Sequence, residues 1–313
     1  MSQPRRTSRR RAWTVLTLPA LLCVLAACSG GPASGRGDDG AAPSASPTPS
    51  GPPGTLFDDF HYSGPDDPSF TAHGWQVRTD GGGPGIKDTW ATAGAGFPSD
   101  TTAQGGRVLQ LRSSTDGTKQ GTKQVEVQST GTGLFTGTFA ARVHLSDKPT
   151  SGRNGDHVVE TFFPISPSDA SANYSELDYE YLPNGGWGSV GPQLDTVSWY
   201  KADPPDRVSH TLKQRLEGWH FMMITAVNGK VTYSLDGKDL FTSSGKYVPR
   251  EKMDVHFSNW FVDLPFAGGQ RTWDMKVNWF YYKAGEAVSQ ADVQKTVDGF
   301  YSAGTNYVNT VPN

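Results

Sequence analysis

The sequence predicts an all-β fold, an antiparallel β-sandwich closed by one short C-terminal helix. Three observations carry this. From residue 55 onward, short runs with the period-two alternation of a half-buried strand are separated by Gly, Asn, Asp and Pro. Two-residue hairpin signals, Asn228-Gly229 and Asp236-Gly237, end successive runs. Helical periodicity is credible once, near the C-terminus, so the strand–helix alternation of a parallel α/β sheet is missing.

Taken in chain order, the first segment is not part of this fold. Arg5, Arg6, Arg9, Arg10 and Arg11 form a basic region, and an apolar run from Ala12 to Ala27 follows. The run is short for a membrane span and ends in Leu25-Ala26-Ala27-Cys28. Small residues ahead of a Cys, directly after an apolar core, resemble the lipobox of bacterial lipoproteins. That resemblance implies a signal peptide over 1–28, lipidation of Cys28 and a location on the extracellular face of the cell membrane. Ser8-Arg9-Arg10 leaves twin-arginine and general export both open. Residues 29–54 are Gly, Ser, Pro and Ala with little to bury, the composition of a disordered tether. The folded domain is expected over 55–313.

Within that domain, strands are predicted over 124–129, 139–145, 158–163, 174–181, 196–200, 221–227, 230–235, 255–261 and 275–282. In the second of these, Phe139, Ala141, Val143 and Leu145 fall on one face. The single helix starts at Ser289, with Asp292 three residues on, and places Val293, Val297 and Phe300 or Tyr301 on one side. The two cysteines, Cys23 and Cys28, both precede the domain, so its stability must come from its core, feasible for roughly 260 residues. A formal net charge of −3 gives no electrostatic footprint for nucleic acid. The seven His are scattered, and no phosphate loop or nucleophile elbow is present.

The chemistry concentrates in Tyr174-Ser175-Glu176-Leu177-Asp178-Tyr179-Glu180-Tyr181. Alternation puts Glu176, Asp178 and Glu180 on one strand face and Leu177, Tyr179 and Tyr181 on the other. Three like charges on one face cost stability unless a function needs them. Residues four apart on a strand have Cα atoms roughly 13 Å apart. Glu side chains leaning together can close that to about 5–6 Å, the separation of a retaining glycosidase pair. Asp178 between them can tune ionisation, since crowded carboxyls do not all ionise together. The same spacing would also serve an acidic surface strand paired with Lys, Arg or a cation.

This segment resembles the catalytic strand of glycoside hydrolase family 16, in the form without an extra residue between Asp and the second Glu. The likeness extends over most of 55–283. Phe57-Asp58-Asp59-Phe60, Gly137-Thr138-Phe139 with Ala141-Arg142, Trp219-His220, Asp236-Gly237 and Val277-Asn278-Trp279-Phe280 resemble further family segments. The resemblance implies a concanavalin A-like jelly roll and hydrolysis of a β-linked polysaccharide, most readily a β-1,3- or mixed-linkage glucan. It assigns Glu176 as nucleophile, Asp178 as assisting carboxylate and Glu180 as general acid/base. Tyr174 occupies a position where relatives often carry a sugar-stacking Trp. Departures are Ala140 for Glu, Thr225-Ala226 for an acid–Trp pair, and Thr196 and Ser198 for longer polar residues. No cofactor is implied, and a structural calcium depends on whether Asn278 can replace the Asp that helps bind it in part of the family.

The candidates for the cleft are Tyr174, Trp187 in the Gly-rich 184–188 loop, and Ser198 with Tyr200 on one strand face. Trp90 and Trp260 read as core, Arg142 as a surface strand residue and His220 as structural. The expected partner is a polysaccharide, with the membrane touched only through the lipid anchor and the protein a monomer. A lectin-like protein on the same scaffold, a polysaccharide lyase and a transglycosylase are the rival classes. Binding alone does not require an acid/base pair, and a lyase would rest on Tyr, His and basic residues.

Overall fold

The computed structural model describes residues 51–131 and 133–312. The predicted signal peptide with Cys28, and the tether up to residue 50, lie outside the described residues.

Two antiparallel sheets build the fold. The nine-stranded sheet runs, in hydrogen-bonded order, Lys238–Ser244, Lys230–Leu235, Gly218–Val227, Gly137–Leu145, Arg271–Ala284, Thr55–Asp58 and Tyr307–Asn309. Leu109–Thr115 pairs with the first half of the long Arg271–Ala284 strand, and Ala95–Gly96 pairs with Leu109–Thr115 as the ninth. The seven-stranded sheet runs Asp206–Leu212, Gln193–Lys201, Glu176–Leu182, Val158–Ile165, Asp254–Phe261, Val125–Ser129 and Trp75–Val77. Asn228 and Gly229 both take positive φ (50° and 73°), as do Asp236 and Gly237 (51° and 79°), the geometry a two-residue hairpin needs. Asp206–Leu212 and Lys238–Ser244 escape the sequence reading because each is an edge strand, largely exposed, whose polar residues blur the alternation.

The sheets bury one face of each against the other. Phe139, Ala141, Val143 and Leu145 meet Leu177, Tyr179 and Tyr181 from the opposite layer in one core. Full burial of each Phe, Val or Leu side chain among them contributes about 1.5–3 kcal/mol. The buried tyrosines also spend their polar ends across the gap. Tyr179 donates its hydroxyl to the Met223 and Ser234 carbonyls (2.9 and 2.8 Å), and Tyr233 donates back to the Val197 carbonyl (2.6 Å). These bonds fix how the carboxylate strand sits on the other sheet.

The helix spans Gln290–Ser302, with the Ser289 side chain accepting from the Asp292 N–H. Val293, Val297 and Phe300 pack on the outer face of the nine-stranded sheet, against Phe57, Ala140, Phe221 and Trp279. Ala140 leaves room there that a Glu would fill.

Asn278 is the extra residue of a bulge between Val277 and Trp279 and is fully buried. Its Oδ1 accepts from the Arg142 guanidinium (2.8 Å) and the Gln104 N–H (2.9 Å), while its Nδ2 donates to the Gln104 and Arg107 carbonyls. A guanidinium already stands at the oxygen a calcium would use, so a divalent cation does not fit there. Arg142 is thus half-buried beneath Trp219 rather than on an open surface (4.7 Å to the ring centre). Among the described residues, no group of three or more His, Cys, Asp or Glu is arranged to hold a metal.

Candidate active site

The outer face of the seven-stranded sheet floors a cleft of about 1310 Å³. Glu176, Asp178 and Glu180 project into it from alternate positions of their strand, as the spacing predicts. The neighbouring strand brings Trp199 opposite Glu176, Val197 opposite Asp178 and Asp195 opposite Glu180. On the other side Ile165 faces Glu176 and Thr161 faces Glu180.

Directional contacts order the carboxyls. Tyr174, buried at the strand entry, donates its hydroxyl to Glu176 Oε2. Asp178 shares a hydrogen bond with Glu176, and its Oδ2 accepts the Trp199 indole N–H at 2.7 Å. Burial and the charges of Glu176 and Glu180 push the Asp178 carboxyl well above its ordinary range. Asp178 therefore keeps its proton and donates it to Glu176. Burial lifts Glu176 to about 7, against the opposing pull of the Tyr174 and Asp178 hydrogen bonds and the charge of His256. Glu180 lies higher, at about 8, raised by burial and by the charges of Glu176 and Asp195, with Arg207 pulling it down. Glu176 is thus the first of the three to ionise and Glu180 retains its proton longer.

The structure brings Tyr174 and Trp187 to the cleft with the three carboxyls. Trp187 is 56% exposed at the tip of a Gly185–Gly186/Ser189–Val190 hairpin, with φ of 50°. A bulky residue rarely takes that backbone. The hairpin sits so close to Val262 that a Cβ on Gly186 would lie 2.9 Å from its side chain.

Ser198 and Tyr200 do not reach the cleft. Ser198 is 0% exposed and bonds Tyr233 and Ser243 hydroxyls between the sheets, and Thr196 is buried on the same side. Register decides this: Ser198 pairs with core-facing Leu177, and Trp199 with cleft-facing Glu176. Tyr200 is the extra residue of a bulge between Trp199 and Lys201, and its ring lies between the Arg250 and Lys246 cations. Trp260, read as core, lines the cleft despite 5% exposure and leans on Trp187 (ring centres 5.8 Å, 59°). Trp90 is half-buried under the Arg78 guanidinium, and His220 bonds Asp236 and the Leu216 carbonyl, away from the cleft.

Sequence reading also missed Trp199, Asp195, Arg207, Glu126 and His256 on the cleft face. Alternation in Val125–Ser129 and Asp254–Phe261 puts Glu126 and His256 on definite strand faces, but only pairing with other strands shows that those faces are the cleft.

No family model matches the chain, and no curated protein matches it. Solved structures do. A Bacillus licheniformis β-glucanase superposes with a TM-score of 0.53 at 14% identity, covering 74% of this chain and 98% of its own. A Bacteroides ovatus family 16 glycoside hydrolase, in complex with the product G4G4G3G, gives 0.55 at 16%, covering 72% and 98%. A laminarinase from Flavobacterium sp. UMI-01 gives 0.52 at 12%, covering 72% and 98%. The chain therefore has the jelly-roll sandwich fold of the family 16 glycoside hydrolases.

Proposed function

We propose that the protein is a retaining endo-hydrolase of a β-linked polysaccharide, with a β-1,3- or mixed-linkage glucan as the first substrate to test. The observation that carries this is the row of Glu176, Asp178 and Glu180 on the floor of one cleft. Its volume of about 1310 Å³ exceeds the roughly 300–1,000 Å³ of a small-molecule pocket and suits a polymer. The order of ionisation supports distinct roles. Glu176 attacks the anomeric carbon as carboxylate while Glu180 gives its proton to the departing glycosidic oxygen. Glu180 then takes a proton from water, whose oxygen displaces Glu176 from that carbon. Asp178 and Tyr174 hold Glu176 in place by hydrogen bonds. The G4G4G3G product bound in the Bacteroides ovatus family 16 structure supports the substrate class.

The test is digestion of a glycan panel with product sizing, followed by proton NMR of the first-formed anomer. Internal cleavage with a retained anomer is expected. An inverted anomer, or full activity in Glu176→Gln, would overturn the assignment. The lipid anchor at Cys28 belongs to the same proposal. Wild-type protein should partition into detergent with an acyl adduct, and Cys28→Ala should not.

A further inference from the structure

We propose that His256, on the Asp254–Phe261 strand, is a positioning residue that keeps Glu176 ionised while Glu180 holds its proton. This rests on the carboxylate roles proposed above.

His256 reaches the cleft floor two strands away from the carboxylate strand, a lateral offset of roughly 10 Å between backbones. Its Nδ1 is 3.2 Å from Oε1 of Glu126, its neighbour's carboxylate, which is only 4% exposed. Glu126 in turn lies 3.7 Å from the Arg78 guanidinium, which the Gly81 and Gly83 carbonyls hold. On the other side the imidazole packs on Phe163, ring centres 5.0 Å apart. A buried carboxylate on one flank and an aromatic ring on the other fix the imidazole in the cleft wall.

The charges around it explain the consequence. Asp254 on its own strand, Glu126 on the next, Glu176 and Asp178 across Phe163, and Asp169 in the preceding loop all line this part of the cleft. Arg78 is the further cation, engaged by Glu126. Asp169 disfavours ionisation of Glu176, and His256 favours it. Glu180 feels Arg207 instead, from the opposite edge strand. The two reacting carboxyls therefore answer to different cations, which lets one ionise ahead of the other.

The experiment is the pH profile of kcat/KM for His256→Gln and His256→Lys on the wild-type substrate. The acid limb of His256→Gln should move up by about half a pH unit or more, with the alkaline limb unmoved. His256→Lys, which stays charged across the assay, should keep the limb at or below its wild-type position. A raised KM with an unmoved acid limb in His256→Gln would reduce the residue to a sugar contact and overturn the inference. Should the Gln variant not fold, a rise of the limb in His256→Lys overturns it equally. Glu176→Gln separates the two levels: if it is active the carboxylate roles fall, and if it is dead while the acid limb of His256→Gln is unmoved only the role of His256 falls.

Discussion

Trp199 stands opposite Glu176 in the strand pairing, yet its indole N–H reaches diagonally to Asp178, 2.7 Å from Oδ2. That bond leaves the other Asp178 oxygen to carry the proton toward Glu176. Trp199→Phe keeps an aromatic ring under Arg207 and removes the donor. We expect kcat to fall about tenfold, the ~1.4 kcal/mol of one buried hydrogen bond, with the melting temperature nearly unchanged. Steady-state kinetics beside thermal melts check this, and unchanged kcat would show that the bond does not orient Asp178.

Glu180→Ala should fail on natural glycans, because the leaving oxygen then has no proton source. An activated aryl glycoside needs no proton and should still glycosylate Glu176. Added azide should restore its turnover and give a glycosyl azide of retained configuration. Azide product of inverted configuration would remove Glu176 from the nucleophile role.

The pH profile follows from the same carboxyls. Glu176 must ionise and is lifted to about 7, while Glu180 must stay protonated and is lifted to about 8. The profile of kcat/KM should rise through the first and fall through the second, a narrow bell above the ordinary carboxylate range. Asp195 raises Glu180 and Arg207 lowers it, so Asp195→Asn should move the alkaline limb down and Arg207→Met should move it up. Movement of both variants in one direction would contradict this electrostatic account.

Trp187 presents an exposed ring beside Trp260, where an apolar sugar face can lie. Asn tolerates the left-handed backbone at this position, so Trp187→Asn preserves the hairpin while deleting the ring. Loss of about 1 kcal/mol of stacking predicts a roughly fivefold rise in KM on polymer with kcat little changed. Quenching of tryptophan fluorescence by oligosaccharide in Glu176→Gln should also weaken in the double variant.

Glu160 carries a different prediction, for stability. It is buried beside Asp147 and Asp274, and its Oε1 has no hydrogen-bond partner. Burial and those charges hold its carboxyl well above the ordinary 4.5. The folded state keeps a proton that the unfolded state releases above that value. This contribution is fully present below about 4.5 and is lost as pH rises toward the folded-state value. Glu160→Gln, permanently neutral, should be more stable than wild type at pH 8 by on the order of 1–3 kcal/mol and nearly equal to it in mild acid. Urea melts at the two pH values measure the difference.

Local sequence determined a good deal of this molecule. Alternation gave the strands from Phe139 to Tyr282, Asn228-Gly229 set a hairpin, Ser289 capped the helix, and Glu176, Asp178 and Glu180 shared a face, because each depends on neighbours within one strand or turn. Tertiary structure decided the rest. Period two says that Ser198 and Trp199 point to opposite sides, but not which side is the core. Pairing with Leu177 and Glu176 settles that, and a bulge then turns Tyr200 away. Glu126 and His256 lie far from the carboxylates in the chain and join them only through strand order across the sheet. Trp260 is buried like a core residue yet borders the cleft, because a side chain can be covered by a rim as completely as by a core. Face identity, ionisation order and the cleft itself arise from contacts between distant strands, and no local pattern encodes them.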